Sequence, residues 1–180
     1  MNHVMIDLES LGTDPDTIFT CLGACKFDPA TGEISPDYFY QRIDWDSAIA
    51  AGRTHSLATL KWWLGNTKDA QNELLTEGLP LDVVLAHFRV WLPKNCIVWG
   101  KGPTFDITIL EHAYGYGNAP WKFWNIRDVR TVIDLADGIL AVKDVAGGFP
   151  GTAHNALEDA VFQATYVCAM WKALREGKPG

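Results

Sequence analysis

Five side chains in this sequence are of kinds that do chemistry, and they stand in three short stretches: Asp7 and Glu9 in HVMIDLES, Asp106 in GKGPTFDIT, and His154 and Asp159 in HNALEDA. Asp7 and Glu9 alternate with apolar neighbours, so on a strand they share one face, about 6.6 Å apart. No Lys or Arg precedes Lys26, so the two like charges need either solvent at a strand edge or metal ions to offset them. Asp106 follows Phe105 where a helix is expected to begin. An aspartate there either complements the helix dipole or serves as a ligand. The GKG before it is no phosphate cradle, because GxxxxGK[ST] is absent. His154 and Asp159 are five apart, which on one helix would turn them about 140° from each other. Asn155, however, is a good N-cap with Glu158 three residues on, as in a capping box. His154 is then N′ and Asp159 N4, the two positions that meet across a helix start. That contact either only fixes the helix entry or sets an imidazole beside a carboxylate for use.

Taken together, the set is more specific than its members. Asp7, Glu9, Asp106 and Asp159 each fall near a strand end or a helix start, and in an α/β sheet those ends converge on one crevice. Four carboxylates with one histidine and no cysteine offer hard oxygen donors, suited to Mg²⁺ or Mn²⁺ and not to zinc. Two such ions about 3.5–4 Å apart form an arrangement that hydrolyses phosphodiesters. His154 would then act beside the metals as a general base, since a free imidazole titrates at about pH 6.5.

The elements that must position these groups follow from periodicity. Strands are expected at 3–10, 17–28 and 37–44, with a turn at 29–36, making an antiparallel meander. Helices follow at 57–64, 68–75 and 81–92, then a short buried strand at 95–100, a helix at 104–115, a strand around 125–129, a helix at 131–140 and a long last helix at 155–174. Strands in a meander, then strands alternating with helices, imply an α/β fold with a mixed sheet flanked by helices.

The 180 residues, 48% hydrophobic with eight Trp, suit one globular domain with a sizeable core. That domain is expected over 1–175, with 176–180 a frayed tail. No apolar run is long enough to span a membrane and no signal peptide is visible, which points to the cytoplasm of a bacterial cell or phage-infected host. Cys21, Cys25, Cys96 and Cys168 lack CxxC pairing and read as buried thiols. The net charge of −7 argues against broad electrostatic binding of nucleic acid, though not against a local site where metal ions offset the carboxylates.

The order DLE (7–9), FD (105–106) and HNALED (154–159) resembles the DEDDh group of 3′–5′ exonucleases in the ribonuclease H-like superfamily. The three motifs span nearly the whole chain. WGKGPTFDITIL, RDVRTVIDL and the paired tryptophans of LKWWL are most similar to its phage and bacterial branch, of the exonuclease VIII-like or exoribonuclease-like kind. The resemblance implies a five-stranded mixed sheet, a three-strand antiparallel meander plus parallel strands. It makes Asp7, Glu9, Asp106 and Asp159 metal ligands, and His154 the general base. It also implies a substrate of single-stranded nucleic acid or a 3′ overhang, cut to 5′-mononucleotides, and leaves a homodimer open.

On the substrate side, Leu11, Gly12 and Thr13, just after the second carboxylate, are candidates to line the terminal nucleotide. Phe105 either packs beneath the site or supports a base. Of Trp62 and Trp63, which face different ways on one helix, one is expected in the core and the other, with Trp62 the candidate, to stack on a base. Trp121, Phe123 and Trp124 read as core or a dimer surface, and Arg127 and Arg130 as phosphate contacts or surface ion pairs. The chain has SLGTDPD where many relatives have TTG, and Lys101 where they place Asn or His, so DNA is not set against RNA. Two other readings remain: a catalytically degenerate binding module, and a phosphohydrolase of small nucleotides.

Overall fold

The structure, a computed structural model, describes residues 1–145 and 155–176. Its centre is β1 (His3–Ser10), an eight-residue strand whose side chains alternate between two apolar layers. Val4, Ile6 and Leu8 enter one core cluster with Phe88, Val98, Ile107 and Leu110. Met5 enters the other with Cys25, Phe27, Trp99 and Tyr166. Asp7 and Glu9 continue the Met5 face, as the period of two requires.

Strand β2 (Phe19–Asp28) pairs antiparallel with β1, and β3 (Glu33–Arg42) antiparallel with β2. On the other side β4 (Ile97–Gly100) and β5 (Ile126–Asp128) run parallel to β1, giving the order β3-β2-β1-β4-β5. This is the mixed five-stranded sheet expected from the sequence. Strand β3 starts four residues before the expected 37, because the connection is a tight turn at 29–32 in which Gly32, at φ 81°, adopts the backbone an L side chain resists.

The helices split between the two faces. Helices α2 (Leu57–Leu64), α3 (Lys68–Leu75) and α4 (Leu81–Trp91) lie where periodicity puts them. A short α1 (Trp45–Ala50) precedes them and escaped the sequence reading, since six residues carry less than two turns of pattern. Its signal is Asp44, whose side chain accepts from Ser47 N–H. Helix α5 spans Asp106–Tyr114 and α6 spans Val129–Leu135, followed by one turn, α7 (Val142–Val145). The long last helix, α8 (Ala156–Glu176), lies across β1 and β2 on the Met5 face. Asn155 caps it, its Oδ1 accepting from Leu157 and Glu158 N–H at 3.1 Å each. The expected tail beyond Glu176 lies outside the described residues.

Gly23 sets how close α8 comes. It pairs with Asp7 on β1, and a Cβ there would sit 2.2 Å from the backbone of Ala156 and Leu157. Only glycine allows the first turn of α8 to rest on the sheet at this point, one turn before Asp159. All four cysteines are buried. Of the aromatic cluster, Trp121 is core, whereas Phe123 and Trp124 are exposed. Among the described residues no helix is long and apolar enough to cross a membrane.

Candidate active site

The site forms where β1 outruns β4. The two strands pair only from His3–Ile97 to Met5–Trp99, so the β4 side of the second half of β1 has no strand partner. The chain leaves β4 through 101–105 and returns as α5, and Asp106 at its start fills the gap. Its Oδ1 accepts from Leu8 N–H at 3.1 Å, which satisfies a donor the sheet leaves over. Its Oδ2 lies beside Gly100, 3.5 Å from where a Cβ would stand.

Asp7 and Glu9 point from the Met5 face toward α8, and Asp159 comes down to meet them. Ligand oxygens of Asp7, Glu9 and Asp159 all lie within 4.8 Å of one another. Asp106 stands close enough to Asp7 for the two carboxylates to repel. Burial, then the charges of Asp106, Glu9 and Asp159, hold the Asp7 carboxyl well above the usual carboxylate range; a hydrogen bond from Gln163 opposes them. Burial likewise pushes Asp106 up to about 7, against the hydrogen bond from Leu8 N–H and the charge of Arg130. Carboxylates crowded until they resist ionising fit divalent cations, which favour the charged form. The donor set is all oxygen, as Mg²⁺ and Mn²⁺ prefer. The four expected carboxylates are thus neighbours; His154 lies outside the described residues.

The segment after β1 is held firmly. Trp63, 2% exposed, donates from Nε1 to Ser10 O at 2.9 Å, and Ser56 N–H donates to Leu11 O at 2.7 Å. These bonds dock α2 against the end of β1. Arg53 is buried, and its guanidinium donates to Thr17 O, Pro15 O and Ile109 O, a structural role the sequence did not announce. Of the candidate substrate residues, Leu11 is 2% exposed in the core cluster, so its side chain packs and does not line a surface. Gly12 is buried, Thr13 exposed, and Phe105 packs against the first core cluster. Trp62 is 51% exposed, with its ring edge-on to Trp63 at 5.1 Å, so one tryptophan is core and the other open.

Arg127 turns to backbone, donating to Trp124 O at 2.8 Å and Ile126 O at 2.9 Å. Arg130 is exposed, and its guanidinium lies over Gly102, where a Cβ would approach it to 2.7 Å. Gly102 has φ 97° and is tied by its N–H to Asp128. This puts Arg130 at the rim of the carboxylates, facing Asp106. Gln163 and Tyr166 also face the carboxylates, and the sequence reading missed both. Their signal was spacing: 159, 163 and 166 share one face of a helix.

Residues 2–171 match the family model of the 3′-5′ exoribonuclease Rv2179c-like domain. The chain is 24% identical over 194 residues to an exodeoxyribonuclease of Enterobacteria phage T4, covering 88% of this chain and 84% of that protein. Among solved structures it resembles E. coli Exonuclease I in complex with a dT13 oligonucleotide, with a TM-score of 0.70, 14% identity, and coverage of 97% of this chain and 42% of that one. It also resembles S. pombe Pop2p in its Mg²⁺- and Mn²⁺-bound form, with a TM-score of 0.67, 11% identity, and coverage of 99% and 86%. The chain spans about two-fifths of the length of the Exonuclease I structures, 41% of the one from Methylocaldum szegediense. At these identities the structural likenesses concern the fold.

Proposed function

This chain belongs to the 3′-5′ exoribonuclease Rv2179c-like domain family, and from that premise we propose that it is a metal-dependent 3′–5′ exonuclease, releasing 5′-mononucleotides from the 3′ end of DNA or RNA. The observation that carries this reading is the convergence of Asp7, Glu9 and Asp159 within 4.8 Å, with Asp106 beside Asp7. These four would hold two divalent cations, Mg²⁺ or Mn²⁺. When bound, such ions acidify the attacking water and stabilise charge on the leaving oxygen. His154, next to the cap residue Asn155, takes the proton from that water at an imidazole nitrogen. Arg130, at the rim, offers its guanidinium to a phosphate oxygen of the strand, a geometry guanidinium suits. Thr13 and the backbone at Gly12 face the terminal nucleotide, and the open Trp62 stacks on a base, which tolerates any sequence. The occupant is a single strand or a 3′ overhang, and the catalytic domain is residues 1–175.

Digestion of 5′-labelled single-stranded DNA, RNA and 3′-overhang duplexes with Mg²⁺ tests the reading. The expected result is a ladder shortening from the 3′ end, 5′-mononucleotide product, no cleavage in excess EDTA and none past a 3′-phosphate. Cleavage of free nucleotides alone would make it a small-nucleotide phosphohydrolase. Binding without cleavage would make it a degenerate module.

A further inference from the structure

Helix α8 brings more than Asp159 to the centre. One turn on, Gln163 is 5% exposed, and its Nε2 donates to Asp7 Oδ1 at 2.8 Å. Among the described residues its own Oε1 is buried without a hydrogen-bond partner, and so is the hydroxyl of Tyr166, which is 1% exposed. Asp159, Gln163 and Tyr166, at i, i+4 and i+7, make one stripe on the face of α8 turned to β1. A glutamine serving only the core would satisfy both ends of its amide, because buried polar atoms are normally paired. This one spends its donor on Asp7 and leaves its acceptor unpaired. With cations holding Asp7 ionised, the reverse orientation would set an amide oxygen against a carboxylate, two acceptors facing each other.

We propose that Gln163 is a positioning residue of the metal centre: its amide holds Asp7 by Oδ1 from the core side, fixing the carboxylate plane so that its remaining lone pairs point into the space that Asp7 shares with Glu9 and Asp159, where a cation would be held. The inference rests on the metal-dependent reading above. Side chains that hold a ligand from behind set its orientation, and their loss costs about 10–100-fold in metal affinity or activity. A core residue without this task would affect stability and leave metal affinity alone.

The test is Mn²⁺ binding to the full chain, measured by calorimetry, beside thermal melting of the metal-free protein. Gln163→Met keeps length and apolar bulk but lacks the donor, and it also removes the unpaired Oε1. Gln163→Leu lacks the donor with a different shape. Both are expected to melt within a few degrees of wild type or above it, to bind Mn²⁺ about 10–100-fold more weakly, and to need correspondingly more metal for half-maximal turnover with an unchanged KM for the oligonucleotide. Wild-type Mn²⁺ affinity retained in a folded variant overturns the assignment. So does a loss confined to one variant, which belongs to packing, or failure of both to fold, which makes Gln163 structural. Wild-type protein that binds no Mn²⁺ would instead overturn the metal reading itself.

Discussion

Asp7 is the residue on which the centre turns, since it faces Glu9, Asp159 and Asp106 together. Asp7→Asn is expected to cut turnover below about one-hundredth of wild type, more than the loss of an orienting partner would, in a protein that stays folded. A near wild-type rate would remove Asp7 from the ligand set. His154→Ala separates the two roles its motif allows. As general base its loss costs about 10²–10⁴-fold in single-turnover cleavage at saturating Mg²⁺, with Mn²⁺ affinity kept; a rate within a few-fold of wild type leaves it only a helix-entry residue. Asp106 makes a third prediction. Burial holds its carboxyl at about 7 in the fold, against about 3.9 in an unfolded chain. The folded value is raised, so the fold binds this proton more tightly, and that stability is complete below the unfolded value and lost as pH rises through the folded one. Asp7 is raised in the same direction. Melting in EDTA should therefore fall from about pH 5 to about pH 7.5, and saturating Mg²⁺ should remove the fall. A melting temperature in EDTA that does not change over that range would contradict the crowding of the carboxylates.

At the level of elements, the approach of α8 to the sheet decides whether Asp159 reaches β1. Gly23→Ala puts a Cβ 2.2 Å from the α8 backbone, and backbone has no rotamer through which to yield. The variant should lose stability beyond the about 1–3 kcal/mol usual for overpacking in denaturant unfolding, and Mn²⁺ affinity should fall with it as Asp159 is displaced. An unperturbed Gly23→Ala protein would mean that the helix can lift without moving its carboxylate. Strand β1 was legible because alternation states both its period and its two faces, and Asn155 was legible because a cap is a local decision. The carboxylate quartet was legible as a spaced pattern. For Gln163 the spacing from Asp159 marks a shared helix face but not which way that face turns, since a single polar residue in an amphipathic helix reads equally as surface, and the docking of α8 at Gly23 is what turns it inward. Leu11 misled for the same reason: its position in the motif is local, but its burial comes from the core cluster assembled from distant parts of the chain.

For the molecule as a whole, a net charge of −7 limits how much of the substrate the protein can hold by charge alone. With Arg127 committed to carbonyls, Arg130 stands out among the described arginines as the cation that faces the carboxylates. Binding of single strands should thus show a shallow dependence on salt, about one to three phosphates' worth, and Arg130→Ala should lower that slope by about 1. A steep slope, or one that Arg130→Ala leaves alone, would place phosphate recognition elsewhere. The buried cysteines have a practical corollary. Burial pushes the Cys25 thiol up to about 12 and Cys168 up to about 11, while alkylating reagents react with thiolate. The native protein should stay silent to maleimide while it is folded. A single cysteine introduced at exposed Thr13 would then be the one position to take a dye, and, on the proposed placement of the terminal nucleotide beside Thr13, a fluorophore there is expected to report the arrival and departure of each 3′ end in real time without first removing the natural thiols.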